Sequence, residues 1–202
     1  MRSIAIEREF GSGGREVGRL VSEKLGVPFY DGEILFNTAE RSGMDLGQLR
    51  NFDERQAGSL LFDLALAGNP NAYSMRTRLY EMFEALQGTV RQLAQKEPSV
   101  FIGRCSTETL SGKDGAPRAL RVFIYASDPV ARCRRIMETE HVDEQDARSL
   151  MRHRDKEREQ YFRYFTRKSW GDKANYDIQL NTSVLSVQQC ADILVDIVRN
   201  MP

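Results

Sequence analysis

Apolar positions along the chain follow two periods that take turns. Ile4-Ala5-Ile6 is a short apolar run and reads as a first strand. Residues 15–25 then place Val17, Leu20, Val21 and Leu25 on one face of an amphipathic helix, ended by Gly26. Residues 27–31 are a short extended piece, and 33–42 and 45–57 have helical spacing. The segment 66–73, with Gly68-Asn69-Pro70-Asn71, reads as a loop. A long helix from about 74 to 96 is expected to weaken near Gly88. Residues 99–102 form a buried strand that runs into Gly103-Arg104, and 111–118 read as a flexible connector. A strand over 119–125 leads to Asp128-Pro129, a cap with proline at the helix start. A helix over about 143–165, a strand over 176–180 and a helix over 186–199 complete the chain, the last with Val187, Cys190, Leu194 and Ile197 inward. Strands alternating with helices predict an α/β fold of three layers, a mainly parallel sheet with helices on both faces.

The length of 202 residues suits a single domain spanning 1–202, and 41% hydrophobic content suffices for its core. No apolar run approaches the roughly 20 residues of a membrane helix. The first strand begins almost at once, leaving no room for a signal peptide. Cys105, Cys133 and Cys190 are odd in number and widely spaced, which reads as reduced thiols in a cytoplasmic protein. His141 and His153 lack metal-ligand spacing. A net charge of zero argues against general nucleic-acid binding. Residues 148–173 nevertheless carry nine Lys/Arg against four Asp/Glu, which is either a solvated helix face or a local anion site.

The segment from Glu9 to Glu16 joins the first strand to the first helix through Gly11, Ser12, Gly13 and Gly14. Strand, small-residue loop and helix N-terminus together make an anion site, because bare backbone lets N–H groups face a phosphate. A tight connector is the plain alternative. Against the pattern G-x-x-x-x-G-K-[ST], Glu9 takes the first glycine position, Arg15 the lysine position, and Glu16 comes next. Ligands of such sheets bind beyond the carboxyl ends of the strands, where Asp31 and Arg104 also lie. Arg104 is either a surface arginine or a fork for phosphate. Arg132 and Arg135 on one helix, with Arg154 to Arg158 on the next, could close over phosphates as a lid over about 128–168. Their plain alternatives are ion pairs of Arg132 and Arg135 with Glu138 or Asp128, and an Asp155–Arg158 pair within one helix. The aromatic group Tyr161, Phe162, Tyr164, Phe165 and Trp170 suits core packing better than base stacking.

Together these residues resemble the cytidylate kinase-like family, a relative of the P-loop nucleoside monophosphate kinases. The most specific element is Arg8-Glu9-Phe10-Gly11-Ser12-Gly13-Gly14-Arg15-Glu16, supported by Phe29-Tyr30-Asp31, Ile102-Gly103-Arg104, Asp155-Lys156-x-Arg158 and Asn181-Thr182-Ser183. The resemblance implies a P-loop NTPase fold with a helical lid, and ATP and Mg²⁺ as cofactors. It implies that Gly11, Ser12, Gly13, Gly14, Arg15 and Glu16 wrap the ATP phosphates, and that Asn181 and Thr182 lie at the adenine. Asp31, Arg104, Asp155 and Arg158 are implied at the acceptor, and Arg15, Arg132 and Arg135 at the transferring phosphate. Mg²⁺ would be held mainly by phosphates and water, with Ser12, Glu16 or Asp31 as contributors. The family pattern is broken where Cys105 replaces an aspartate, where Met151 replaces an arginine, and where Phe36 and Asn37 stand in place of an acceptor arginine. The implied activity is ATP-dependent phosphoryl transfer to a nucleoside monophosphate or similar small phosphate acceptor, with no membrane and no nucleic acid as partner. A regulatory nucleotide-binding protein and a kinase of a non-nucleotide small molecule are the alternatives.

Overall fold

The computed structural model describes residues 1–41, 72–113 and 115–201. The expected helix over 45–57 and the Gly68–Asn71 part of the expected loop lie outside these residues. Five strands form one sheet in the order β2-β3-β1-β4-β5. They are β1 (Ile4–Arg8), β2 (Phe29–Tyr30), β3 (Val100–Ile102), β4 (Leu120–Tyr125) and β5 (Ile178–Asn181). All the ladders are parallel, with Ile4 opposite both Val100 and Leu120. The mainly parallel sheet expected from the sequence is thus wholly parallel among the described strands. β1 is central and pairs on both sides, so the loop that leaves its end stands at the middle of the sheet's carboxyl edge.

Side-chain alternation sorts the two faces. Ile4 and Ile6 of β1, with Val100 and Ile102 of β3, face α1 (Gly14–Leu25) and the last helix, Val187–Asn200. Ala5 and Phe101 point the other way, onto Leu35 of α2 (Gly32–Arg41) and Val90 of α3 (Ala72–Lys96). This is the period of two that a doubly covered sheet requires. α3 runs unbroken through Gly88, whose missing side chain faces open space. The helix, expected to be broken or weakened there, is not broken: a glycine costs propensity but does not end a helix with packed neighbours on both sides of it.

Beyond β3 lies a four-residue turn of helix, α4 (Ser106–Thr109), with no signal in the hydrophobic pattern. The connector over 111–118 is pinned by an antiparallel bridge between Ser111 and Arg118. α5 (Pro129–Glu140) is capped by Asp128, whose carboxylate accepts from Val130 and Ala131 N–H. α6 (Glu144–Thr166) is capped by Asp143. α5 and α6 pack against each other as a hairpin around Cys133, Ile136 and Ala147. A 3₁₀ turn over Lys173–Asn175 delays the last strand to Ile178, two residues later than the pattern suggested. α7 (Val187–Asn200) starts in a capping box between Ser186 and Gln189.

Candidate active site

The loop between β1 and α1 is held by its carbonyls. Arg8 C=O accepts from Arg158 Nη1 at 3.0 Å, and Glu9 C=O from the Ser12 hydroxyl at 2.8 Å. Phe10 C=O accepts from Arg132 Nη2 at 2.8 Å, and Gly11 C=O from Arg135 Nη1 at 3.2 Å. Ser12 C=O accepts from the Thr182 hydroxyl at 2.7 Å, and Gly13 C=O from Val17 N–H at 2.9 Å. Six successive acceptors are thereby engaged. Gly11 and Gly13 sit at φ 76° and 78°, a left-handed geometry in which other residues are strained. The N–H groups of Arg15 and Glu16, in the first turn of α1, have no acceptor within the helix. That arrangement is an anion cradle with positive dipole behind it.

The α5–α6 hairpin closes on this loop. Arg132 is buried, with Nη1 3.1 Å from Glu9 Oε2 and Nη2 paired with Asp155. Asp155 Oδ1 accepts from Phe10 N–H at 2.7 Å. The partners expected for Arg132 and Arg135, Glu138 or Asp128, are replaced by loop groups: Asp128 is occupied as the α5 cap, and α5 faces the loop with its basic side. Asp155 is turned toward the loop and not toward the acceptor side. Arg158 lies over the Phe10 ring at 5.4 Å. Burial raises the Glu9 carboxyl above its ordinary pKa, against the opposing pull of Ala126 N–H and Arg132.

Two cavities adjoin here. One, of about 500 Å³, is lined by Gly11, Gly13, Gly14, Glu16 and Arg135. The other, of about 380 Å³, is lined by Asp31, Gly32, Arg104, Arg154 and Glu157. Both are bounded by Arg8, Phe10, Arg15, Glu140 and Arg158. Arg15 spans the boundary and donates twice to the single oxygen Asp31 Oδ2, from Nη2 at 2.6 Å and Nε at 3.1 Å. Asp31 Oδ1 also caps α2 through Ile34 N–H. Burial would raise the Asp31 carboxyl, but these hydrogen bonds prevail and hold it below its ordinary range.

Arg104 comes after β3 on a turn in which Gly103, Arg104 and Cys105 all have positive φ. Two consecutive non-glycine residues there store strain of about 1–3 kcal/mol each. Gln87 of α3 donates to Arg104 C=O at 3.0 Å from behind. Burial pushes the guanidinium below its ordinary pKa. Arg104 reaches the cleft only because Gly32 has no side chain: a Cβ there would stand 2.5 Å from its Nε. Gly32 and Gln87 carry no sequence signal for this role. Glu157, 3% exposed, is held by Arg154 Nη1 at 3.1 Å and His153 Nε2 at 3.2 Å.

Asn181 and Thr182 are engaged in fixing the turn after β5. Asn181 exchanges hydrogen bonds with Ser127, and Thr182 anchors Ser12 C=O. The Ser12 hydroxyl is committed to Glu9 C=O and accepts from Gly14 N–H at 3.3 Å. Among the described residues no three His, Cys, Asp or Glu side chains converge on a metal position. No described helix is long and apolar enough to cross a membrane.

Residues 3–184 match the family model described as the cytidylate kinase-like family. The chain belongs to the cytidylate kinase-like family. No curated protein matches it. Among solved structures, an uncharacterized protein from Eubacterium ventriosum is similar at TM-score 0.74 and 27% identity, with 100% of each chain covered. Shikimate kinase from Bacteroides thetaiotaomicron is similar at TM-score 0.52 and 14% identity, with 98% of each chain covered. The second likeness shows a shared α/β fold and nothing finer. Membership of the cytidylate kinase-like family supports a kinase-type nucleotide-binding protein.

Proposed function

We propose that this protein transfers the γ-phosphoryl group of MgATP to a nucleoside monophosphate or a similar small phosphate-bearing acceptor. One observation carries the reading: the glycine-loop cavity and the Arg104 cavity share a boundary, so a phosphate in the cradle faces a group held beside Arg104. Amides of Gly13, Arg15 and Glu16 receive the β- and γ-phosphates, and Arg135 stands over them. Arg104 and Arg158 hold the acceptor phosphate, whose oxygen attacks the γ-phosphorus as the bond to ADP breaks. Asp31 steers Arg15 across the boundary, where its charge meets both phosphates. Mg²⁺ would be held mainly by the nucleotide's phosphates and water, with Ser12, Glu16 or Asp31 as contributors, and would neutralise charge on the transferring group. We read residues 1–202 as one domain acting in the cytoplasm on free small molecules, consistent with neutral charge and three buried free thiols.

A phosphate-transfer screen with MgATP and a panel of nucleoside monophosphates and small phosphorylated or hydroxylated acceptors tests this. Transfer to at least one acceptor is expected, and Arg104→Ala should raise its KM roughly 10- to 150-fold, the loss of one charged phosphate contact. MgATP binding without transfer to any acceptor would favour a regulatory nucleotide-binding module. The commitment of the Arg15 guanidinium to Asp31, at the position where a P-loop lysine would follow the phosphate as a compact point charge, is the observation that supports that second reading.

A further inference from the structure

Phe10 is gripped at every polar and apolar group it has. Its N–H donates to Asp155 Oδ1 at 2.7 Å, and its C=O accepts from Arg132 Nε and Nη2 at 3.0 and 2.8 Å. Arg132 and Asp155 pair with each other, which closes a ring of hydrogen bonds around one residue of the loop. The Phe10 side chain packs against the apolar cluster of Cys133, Ile136 and Ala147 between α5 and α6. A second arm of Arg132 reaches Glu9, whose other contact is Ala126 N–H at the end of β4.

Arg132 is only 9% exposed, so it cannot turn to a ligand without abandoning Phe10, Glu9 and Asp155 together. Both carboxylate oxygens of Asp155 are likewise engaged, Oδ1 by Phe10 N–H of the loop and Oδ2 by Arg132 of α5, and Asp155 does not border the cavity of Arg104. A charge-assisted pair in a half-buried setting is a stiff connection. It fixes the plane of the peptides on either side of Phe10, and those peptides set the direction of the next amides along the loop.

We propose that Asp155 and Arg132 are positioning residues for the phosphate cradle, acting through Phe10 and not as ligands of the acceptor. The α5–α6 hairpin and the loop then move as one body, and the hairpin determines how well the loop receives polyphosphate. The inference rests on the nucleotide-binding reading for its functional half; its structural half is tested without any ligand.

The experiment compares wild type, Asp155→Ala and Asp155→Asn. Amide hydrogen exchange of nucleotide-free protein is read across residues 9–14, and calorimetry measures binding of MgATP and, as acceptor probe, CMP. Asp155→Ala should speed exchange in the loop at least tenfold while β3 and β4 stay protected. It should weaken MgATP at least tenfold and leave CMP within twofold. Asp155→Asn keeps an acceptor for Phe10 N–H and should recover most of both losses. Unchanged loop exchange in Asp155→Ala overturns the proposal. So does a loss confined to CMP, which would return Asp155 to the acceptor, and so does faster exchange spread evenly over the sheet. Wild type that fails to bind MgATP refutes the nucleotide reading, and loop exchange still decides the positioning of the cradle.

Discussion

Replacing Gly32 by alanine isolates Arg104 without touching it. Gly32 opens α2 with ordinary helical backbone, so alanine brings no conformational strain there and a gain in helix propensity. The difficulty is spatial. The new Cβ would lie 2.5 Å from both Nε and Nη2 of Arg104, and 2.8 Å from Cζ. An ordinary contact begins near 3.4 Å, so the guanidinium must retreat by about 0.9 Å. A hydrogen bond of about 2.9 Å lengthened by that amount passes the limit of a useful contact. Arg104 is buried and its turn is already left-handed, so little relaxation is available. Acceptor KM should therefore rise by roughly 10- to 150-fold, about 1.5–3 kcal/mol, with MgATP affinity unchanged. Gly88→Ala is the matched control. It meets open space in mid-helix and should stabilise by roughly 0.5–1 kcal/mol, about 1–4 °C in Tm for a chain of this size. Steady-state transfer with the preferred acceptor, beside thermal unfolding, reads both. An unchanged acceptor KM in Gly32→Ala, or an equal loss for MgATP and acceptor, would refute the placement of Arg104.

The Asp31 carboxyl is depressed in the folded state, so its contribution to stability is present above its unfolded value near 3.8 and lost as pH falls through the lower folded value. Arg15→Ala should move acid unfolding, monitored by circular dichroism, to higher pH; because Arg15 is largely exposed, the effect should stay below about 1 kcal/mol. Gln87→Met keeps the volume but removes the donor to Arg104 C=O. It should cost about 1 kcal/mol in denaturant unfolding and raise acceptor KM more than it lowers kcat. Thr182→Val deletes the anchor on Ser12 C=O and should weaken MgATP several-fold in calorimetry, with CMP binding retained.

Much of the fold was written locally. The β1–loop–α1 unit, the Asp128 cap and the Gly26 stop each depend on neighbours within four residues, and all are found. The short helix after Cys105 and the 3₁₀ turn before β5 lack that signal, since one turn of helix has no period to read. The glycine loop was legible for the same local reason as the caps. The company kept by Asp155 was not. Its bond to Phe10 spans 145 positions, and nothing in its own helix distinguishes an aspartate facing a loop from one facing a cleft. Gly32 shows the opposite limit: its meaning is the volume of a side chain 72 positions away. Left-handed Arg104 and Cys105 are imposed by packing against local preference, so propensity argues against them.

The anchors of the cradle also fix when it can exist. Of the six carbonyls in the loop, only those of Glu9 and Gly13 are satisfied by residues nearby; the other four wait for Arg132, Arg135, Arg158 and Thr182. On a ribosome the loop emerges some 170 residues ahead of its last anchor. At about 5–20 residues per second, the phosphate loop waits roughly 9–34 s for its full shape. Nucleotide therefore cannot template the early folding of this chain, and chains stopped short of β5 have the motif without its binding.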